Sequence, residues 1–483
     1  MSNRDRSRGE LRLSITNSIT RRVELFEPID GDSVSLYVCG PTVYDRAHLG
    51  NLRSAVVYDM LVRVLRAVYG DVRYVRNITD IDDKIINRSK ELSITAGELA
   101  DSMVEWYRKD VSYLNCVLPS YEPRVTENMA EIIAMIQQII DNGYAYYVDG
   151  NVLFDTVRDA EYGNVLSKQQ GDDLVAGARV LVESYKKNGR DFVLWKPSKE
   201  GEEGFDSPWG FGRPGWHIEC SVMSCKYLGD MFDIHGGGLD LVFPHHENEI
   251  AQARAVGAQF ARYWIHNGFL TIDGEKMSKS LKNIYTLEDT QKWDISADAL
   301  RYFYLTAHYH KPLDLNKKAI YDAKNAIRKF QILLRTLLDK CVVEEFRDDE
   351  EVRDLSYNLQ KILCGDLNFS AALAYMHRLY HECEQGGRYL VKKCREFYAS
   401  YLFMGFSSLE SSSDIAGNES ENGGIPEYVM ELVHKREKMR KSGMWGEADR
   451  LRDEIAQCGY VVRDEAGCCK VMPNDDVEGS NLK

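Results

Sequence analysis

No stretch of this 483-residue chain is apolar for long enough to span a bilayer, so no membrane association is expected. No two cysteines form a Cys-x-x-Cys knuckle, and the eleven present are odd in number and scattered. That argues against a disulfide framework and for a reducing compartment, expected to be the cytoplasm. A positive excess is also missing: 61 Lys and Arg stand against 75 Asp and Glu, a formal net charge of −14. The sum does not exclude a nucleic-acid partner, because affinity for phosphate depends on local charge. Two basic runs qualify as patches, Lys317, Lys318, Lys324, Arg328 and Lys329, then Lys435, Arg436, Lys438, Arg440 and Lys441. A solvated helix face is the ordinary meaning of either. Internal repeats are absent, and the length predicts about three domains.

What is present begins with Lys276-Met277-Ser278-Lys279-Ser280, after the strand-like Tyr263-Trp264-Ile265 and the loop-like Asp273-Gly274. Two lysines with hydroxyls between them suit a leaving polyphosphate, whose developing charge they screen and hydrogen-bond. Alone, the pentad also reads as a surface loop. Far upstream, His48-Leu49-Gly50-Asn51 sits between a predicted buried strand, Val34-Ser35-Leu36-Tyr37-Val38, and a predicted helix. That helix shows an apolar face through Ala55, Val56, Tyr58, Met60, Leu61, Val64, Leu65 and Val68, and Gly70 stops it. A strand-to-helix turn offers unpaired amides and a positive dipole end to phosphate, and an imidazole can donate to a phosphoryl oxygen.

A metal set is also conceivable. Cys39 ends the first strand, Cys220 lies in Gly215-Trp216-His217-Ile218-Glu219-Cys220, and His245 and Glu249 are four apart after Pro244. On a helix the last two share a face. Two thiolates, an imidazole and a carboxylate can bind zinc, although buried structural residues explain the same spacing. Cys468 and Cys469 lack partners for such a site.

The tetrad and pentad together resemble the signatures of the class I aminoacyl-tRNA synthetases. The pentad matches in full, whereas Asn51 stands where that family usually has histidine. Asparagine keeps a donor but carries no charge. Further segments are similar to the cysteinyl-tRNA synthetase family: residues 37–45, Asn77-Ile78-Thr79-Asp80-Ile81-Asp82-Asp83-Lys84, residues 212–221, and His235-Gly236-Gly237-Gly238-Leu239-Asp240-Leu241. The resemblance implies Cys39, Cys220, His245 and Glu249 as ligands of one zinc ion per chain. It implies Thr79 and Trp216 in the amino-acid pocket, and Gly238 and Asp240 at the ribose of ATP. His48, Gly50, Asn51, Lys276, Ser278 and Lys279 fall to the phosphates, with His48, Asn51, Lys276 and Lys279 catalytic. ATP, entering with Mg²⁺, L-cysteine and tRNA(Cys) are the implied partners, and a monomer is expected. No editing domain is apparent.

The implied fold is α/β, a Rossmann-like doubly wound parallel-sheet catalytic domain over 23–295, with a connective insertion at about 120–215 and the lysine loop at 276–280. Residues 1–22 are expected as a disordered or loosely docked extension, since Asp5 and Glu10 do not suit a transit peptide. A helical bundle follows over 296–406, on the stem-contact and anticodon side. A Ser-, Gly-, Asn- and Glu-rich linker occupies 407–424, and a small C-terminal anticodon-binding domain 425–483. In the insertion, residues 151–155 and 192–196 read as strands and 200–204 as a loop. Helix is expected over 428–457 and a short strand at 459–462. Two alternatives stand beside this reading. One is a ligase joining activated cysteine to an amino-sugar amine, as in mycothiol synthesis. The other is a non-enzymatic zinc- or nucleotide-binding module.

Overall fold

The computed structural model describes residues 11–31, 33–168, 185–277, 281, 283–339, 343, 346, 348–386, 390–407, 427–442, 444–457, 460–465 and 468–473. For residues 11–22 the expectation of a loosely docked extension is corrected, and residues 1–10 of it lie outside the described residues. Strands β1 (Ser14–Asn17) and β2 (Arg22–Leu25) form an antiparallel hairpin. Leu13 and Ile15 are fully buried, which anchors the hairpin through apolar burial. Asn17 accepts the Trp264 amide at 3.2 Å, and Asp366 accepts the amide and hydroxyl of Thr16.

The central sheet is parallel throughout, in the order β10 (Phe260–Asn267), β9 (Met231–Gly238), β3 (Ser33–Val38), β4 (Asp71–Arg76). Val34, Leu36, Tyr37 and Val38 are buried, as strands covered on both faces require. The chain runs from β3 through helix α1 (Leu49–Tyr69) to β4 on one side and later returns to β9 on the other. The order therefore reverses at β3, and the crevice beyond its carboxyl end is where open α/β sheets bind ligands.

Between β4 and β9 lie α2 (Asp83–Leu92), α3 (Ala96–Tyr113), α4 (Met129–Asp141) and an antiparallel sheet. Its strands run β5 (Ala145–Val148), β6 (Asn151–Phe154), β7 (Phe192–Pro197), β8 (Gly212–Pro214). The two strands expected in the insertion are thus present, with one more on each side. Its core joins Phe154, Phe192 and Trp195 to Ile132, Ile136 and Ile139 of α4.

After β10 the chain forms a small sheet of β12 (Glu275–Lys276), β11 (Leu270–Ile272) and β13 (Leu313–Leu315). β13 interrupts the stretch expected to be wholly helical. It pairs in parallel with β11, because Leu313 and Leu315 bury there beside Leu270 and Ile272. Helices Lys317–Asp339, Phe369–Gln385 and Leu390–Phe403, with shorter ones between, complete the bundle. Catalytic and bundle segments form one compact unit, Met1–Ser408.

The second unit, Leu409–Lys483, has helices Glu427–Lys441 and Trp445–Gln457 and a hairpin of β14 (Tyr460–Glu465) and β15 (Cys468–Pro473). Val429, Val433, Ile455 and Val462 make its core. The sequence predicted one strand here; Cys468 and Cys469 lie in the second. Arg436 is 3% exposed, so that basic run is not uniformly solvated. Most of the expected linker lies outside the described residues.

Candidate active site

The tetrad opens α1 by a capping box. His48 Nδ1 accepts the Asn51 amide at 3.2 Å, and Asn51 Oδ1 accepts the His48 amide at 3.2 Å. Asparagine in place of the family's usual histidine thus secures the helix start. Burial pulls the His48 pKa down, while the charge of Asp240 raises it. A neutral imidazole that accepts at Nδ1 carries its proton on Nε2 and can donate from that side.

The two signatures meet, although 228 positions separate His48 from Lys276. The Leu49 amide donates to the Tyr285 carbonyl at 2.8 Å, and the Tyr304 hydroxyl donates to the Leu49 carbonyl at 2.8 Å. A Cβ on Gly50 would lie 2.8 Å from Met277 Cε and 3.1 Å from the His48 ring. The tip of Met277 thus lies against the tetrad, where a small side chain would push aside only that flexible tip. Lys276 is exposed, with its ammonium 4.8 Å above the Phe269 ring. Ser278, Lys279 and Ser280 lie outside the described residues. Gly50→Ala is expected to lower ATP–pyrophosphate exchange about fivefold, the low end of overpacking at ~1 kcal/mol because the Met277 tip can yield, with the KM for cysteine unchanged. Kinetics in both substrates checks it; an equal rise in the cysteine KM would contradict it.

Beyond β3 three of the predicted metal ligands, Cys39, His245 and Glu249, come together, and Cys220 lies next to Cys39 outside that group. Cys39 Sγ lies 3.6 Å from Cys220 Sγ and 3.6 Å from Glu249 Oε1, and His245 Nε2 lies 3.1 Å from the same carboxylate oxygen. Helix Trp216–Leu228 supplies Cys220; a helical turn, Val242–His246, leads His245 into helix Glu247–Ala255, which carries Glu249. Burial, with the neighbouring charges, raises the pKa of Cys39 and of Glu249, while burial lowers that of His245. Glu249 Oε2 makes no hydrogen bond, although His235 Nε2 lies 3.3 Å from it. Soft and borderline donors, with Cys39 half-buried and Cys220, His245 and Glu249 buried, suit a thiophilic divalent cation.

Sequence reasoning left His246, His235 and His266 without a role, and the structure brings all three to this centre. His246 belongs to the cluster of candidate ligand atoms itself, with Cys39, His245 and Glu249. Its Nε2 is 3.3 Å from Cys39 Sγ, and its Nδ1 is 2.7 Å from His266 Nε2. His235 Nε2 is 3.4 Å from Cys39 Sγ. The signal was strand position: His235 and His266 both approach the carboxyl ends of parallel strands, β9 and β10.

The two predicted pocket residues flank the cluster. Trp216, 38% exposed, places its ring centroid 4.1 Å from that of His245. Thr79 is buried and donates its hydroxyl to Glu219 Oε2 at 2.9 Å, beside Cys220. At the end of β9, a Cβ on Gly238 would lie 2.4 Å from Asp240 Oδ1, so this glycine and aspartate pack directly together.

A parallel sheet with a phosphate-suited helix start at its switch point, and a lysine segment folded onto it, defines a class I aminoacyl-tRNA synthetase. The class I (C) tRNA synthetase catalytic-domain family matches residues 25–325, and the cysteinyl-tRNA ligase anticodon-binding domain matches 422–470. A methionyl-tRNA synthetase from Mycobacterium tuberculosis, solved with methionyl-adenylate, shares the fold. It has a TM-score of 0.54 and 14% identity, over 77% of this chain and 89% of that one. The cysteine–tRNA ligase of Anaplasma phagocytophilum (strain HZ) is 42% identical over 94% of this chain and 98% of its own length. That of Paramagnetospirillum magneticum is 43% identical over the same shares. The chain belongs to the cysteine–tRNA ligase family, and its activity is the ATP-dependent charging of tRNA with cysteine. Among the described residues no helix is long and apolar enough to cross a membrane.

Proposed function

We propose that Cys39, Cys220, His245 and Glu249 hold one zinc ion that selects cysteine, and that the tetrad and lysine segment activate it with ATP. The observation that carries this reading is the gathering of the half-buried Cys39 with the buried Cys220, His245 and Glu249 beside Trp216. Zinc, when bound there, supplies a soft Lewis acid for the substrate thiolate, a bond that the near-isosteric serine hydroxyl makes poorly. His246 Nδ1, held by His266, keeps its other nitrogen toward Cys39 and steadies the donor set.

Trp216 and Thr79 border the amino acid, and Glu219 fixes the Thr79 hydroxyl. The cysteine carboxylate attacks the α-phosphate of ATP, which enters with Mg²⁺, and pyrophosphate leaves. His48 donates from Nε2 to a phosphoryl oxygen, α1 adds its N-terminal amides, and Asn51 fixes the His48 tautomer. Lys276, Ser278 and Lys279 screen the departing pyrophosphate, and Gly238 and Asp240 hold the ribose. The 3′-terminal adenosine of tRNA then takes the cysteinyl group from the adenylate. The enzyme acts as a monomer in the cytoplasm. The exposed Lys317, Lys318, Arg328 and Lys329 of one bundle helix support a tRNA-facing role, and the second unit reads the anticodon.

The experiment is transfer of labelled cysteine or serine to unfractionated tRNA by zinc-loaded protein. Cysteine is charged and serine is not; equal charging of both would sink the role given to zinc.

A further inference from the structure

Behind the tetrad, one turn into α1, Arg53 is wholly buried, and among the described residues it forms no ion pair with a carboxylate. Its guanidinium is spent on main-chain carbonyls from two separate segments. Nη1 donates to Gly268 at 2.7 Å and Phe269 at 2.6 Å, while Nη2 donates to Lys311 at 2.6 Å and Tyr309 at 3.4 Å. Those segments are the roots of β11 and β13. β11 turns through Asp273–Gly274 into β12, which carries Lys276. Gly268 permits the crossing, because a Cβ there would lie 2.5 Å from the Lys311 carbonyl oxygen and 2.7 Å from that of His310. Burying an arginine against carbonyls alone is costly, and burial lowers its pKa to about 10. The position must be worth that cost to something other than packing.

We propose that Arg53 is a positioning residue for adenylate formation, a clamp that locks the root of the lysine-bearing hairpin to the helix whose start binds phosphate. The two halves of the phosphate site come from opposite ends of the catalytic segment, and each must meet the same triphosphate. Arg53 fixes their separation from behind, as the contacts of Gly50 with Met277 do from the front. The planar fork reaches both roots at once, which a lysine, a single point donor, cannot fully reproduce. The metal cluster has no hydrogen bond to Arg53, so cysteine binding is left outside the clamp. The inference rests on the assignment of Lys276 to the leaving pyrophosphate.

The test is ATP–pyrophosphate exchange by the zinc-loaded full chain, measured for Arg53→Lys, Arg53→Met, Gly268→Ala, the Arg53→Lys/Gly268→Ala double variant and Lys276→Ala. Arg53→Met is expected to lower kcat about 100-fold, the scale of a small misplacement of reacting groups, with the cysteine KM within twofold. Arg53→Lys recovers part of that rate. Gly268→Ala, which disturbs the carbonyls from the other side, produces the same split, and the double variant loses less than the product of the two single losses. If Arg53→Met fails to fold, Arg53→Lys and Gly268→Ala carry the test unchanged. A cysteine KM that moves with the ATP step, or single losses that simply multiply, would overturn the clamp. An unchanged rate in Lys276→Ala would instead overturn the assignment beneath it; a large loss there with near-normal Arg53 variants sinks the clamp alone.

Discussion

Cys39→Ser is expected to empty the metal centre and to lower kcat/KM for cysteine at least 1,000-fold, a loss of about 4 kcal/mol at the transition state. Cys39 stands at the middle of the donor set, with Cys220, His235, His246 and Glu249 all within 3.6 Å of its sulfur. Serine has nearly the same shape, so the sheet end need not move. Only the soft donor is lost, and a hydroxyl is a far weaker zinc ligand. Metal content per chain, measured by elemental analysis, falls from about one toward zero while the melting temperature shifts by only a few degrees. A variant that retains both zinc and activity would show that the remaining donors, with His246, suffice.

Arg301→Leu carries the largest expected effect on stability. Arg301, in helix Ala297–Tyr304, is 1% exposed; it pairs with the buried Asp59 of α1 and donates to the Met404 carbonyl at 2.6 Å and the Leu114 carbonyl at 2.9 Å. One side chain thus ties α1, the end of α3 and the last turn of the bundle together. Removing it leaves Asp59 buried with Arg63 as its remaining ion-pair partner, 3.0 Å away. The cost of breaking a buried pair from one side is about 3–5 kcal/mol, read as a lower denaturant midpoint. The double variant Asp59→Leu/Arg301→Leu recovers part of this, since no carboxylate remains buried and Arg63, partly exposed, keeps its hydrogen bond to the Asn115 carbonyl. The pair also gives stability a pH dependence. Burial pushes the Asp59 carboxyl up, but Arg301 and Arg63 outweigh it and hold the pKa below the ordinary value. The unfolded chain therefore binds the proton first, and this stabilisation, complete at neutral pH, is lost as pH falls below about 4. In Arg301→Leu that acid-side slope flattens.

Local features were the most legible. Val34–Val38, the tetrad and the apolar face of α1 lie within a short span, so strand, turn and helix follow from spacing alone. The strands at 151–154 and 192–197 were legible for the same reason. The proposed ligand set was less so: Cys39, Cys220, His245 and Glu249 are scattered over more than 200 positions, so spacing made the set only conceivable and resemblance to a family strengthened it. His235, His246 and His266 look like ordinary core histidines until the strand order sets their ends side by side. Residues 14–22 were misread because the two strands of this hairpin have four residues each, among charged neighbours, and their partners lie at Trp264 and Asp366. Arg53 gave no signal at all; one arginine in an apolar helix announces nothing about carbonyls more than 200 positions away.

The pairing of β3 with β9 has a consequence for how the protein is born. Residues 39–230 must emerge between the two strands before the central sheet can close. At about 5–20 residues per second, Glu249 follows Cys39 out of the ribosome by roughly ten to forty seconds. During that interval β3 and β4 can pair, and the inserted antiparallel sheet can build its own core, but Cys39 waits without His245 and Glu249. The metal centre proposed above therefore takes shape only after the central sheet has closed.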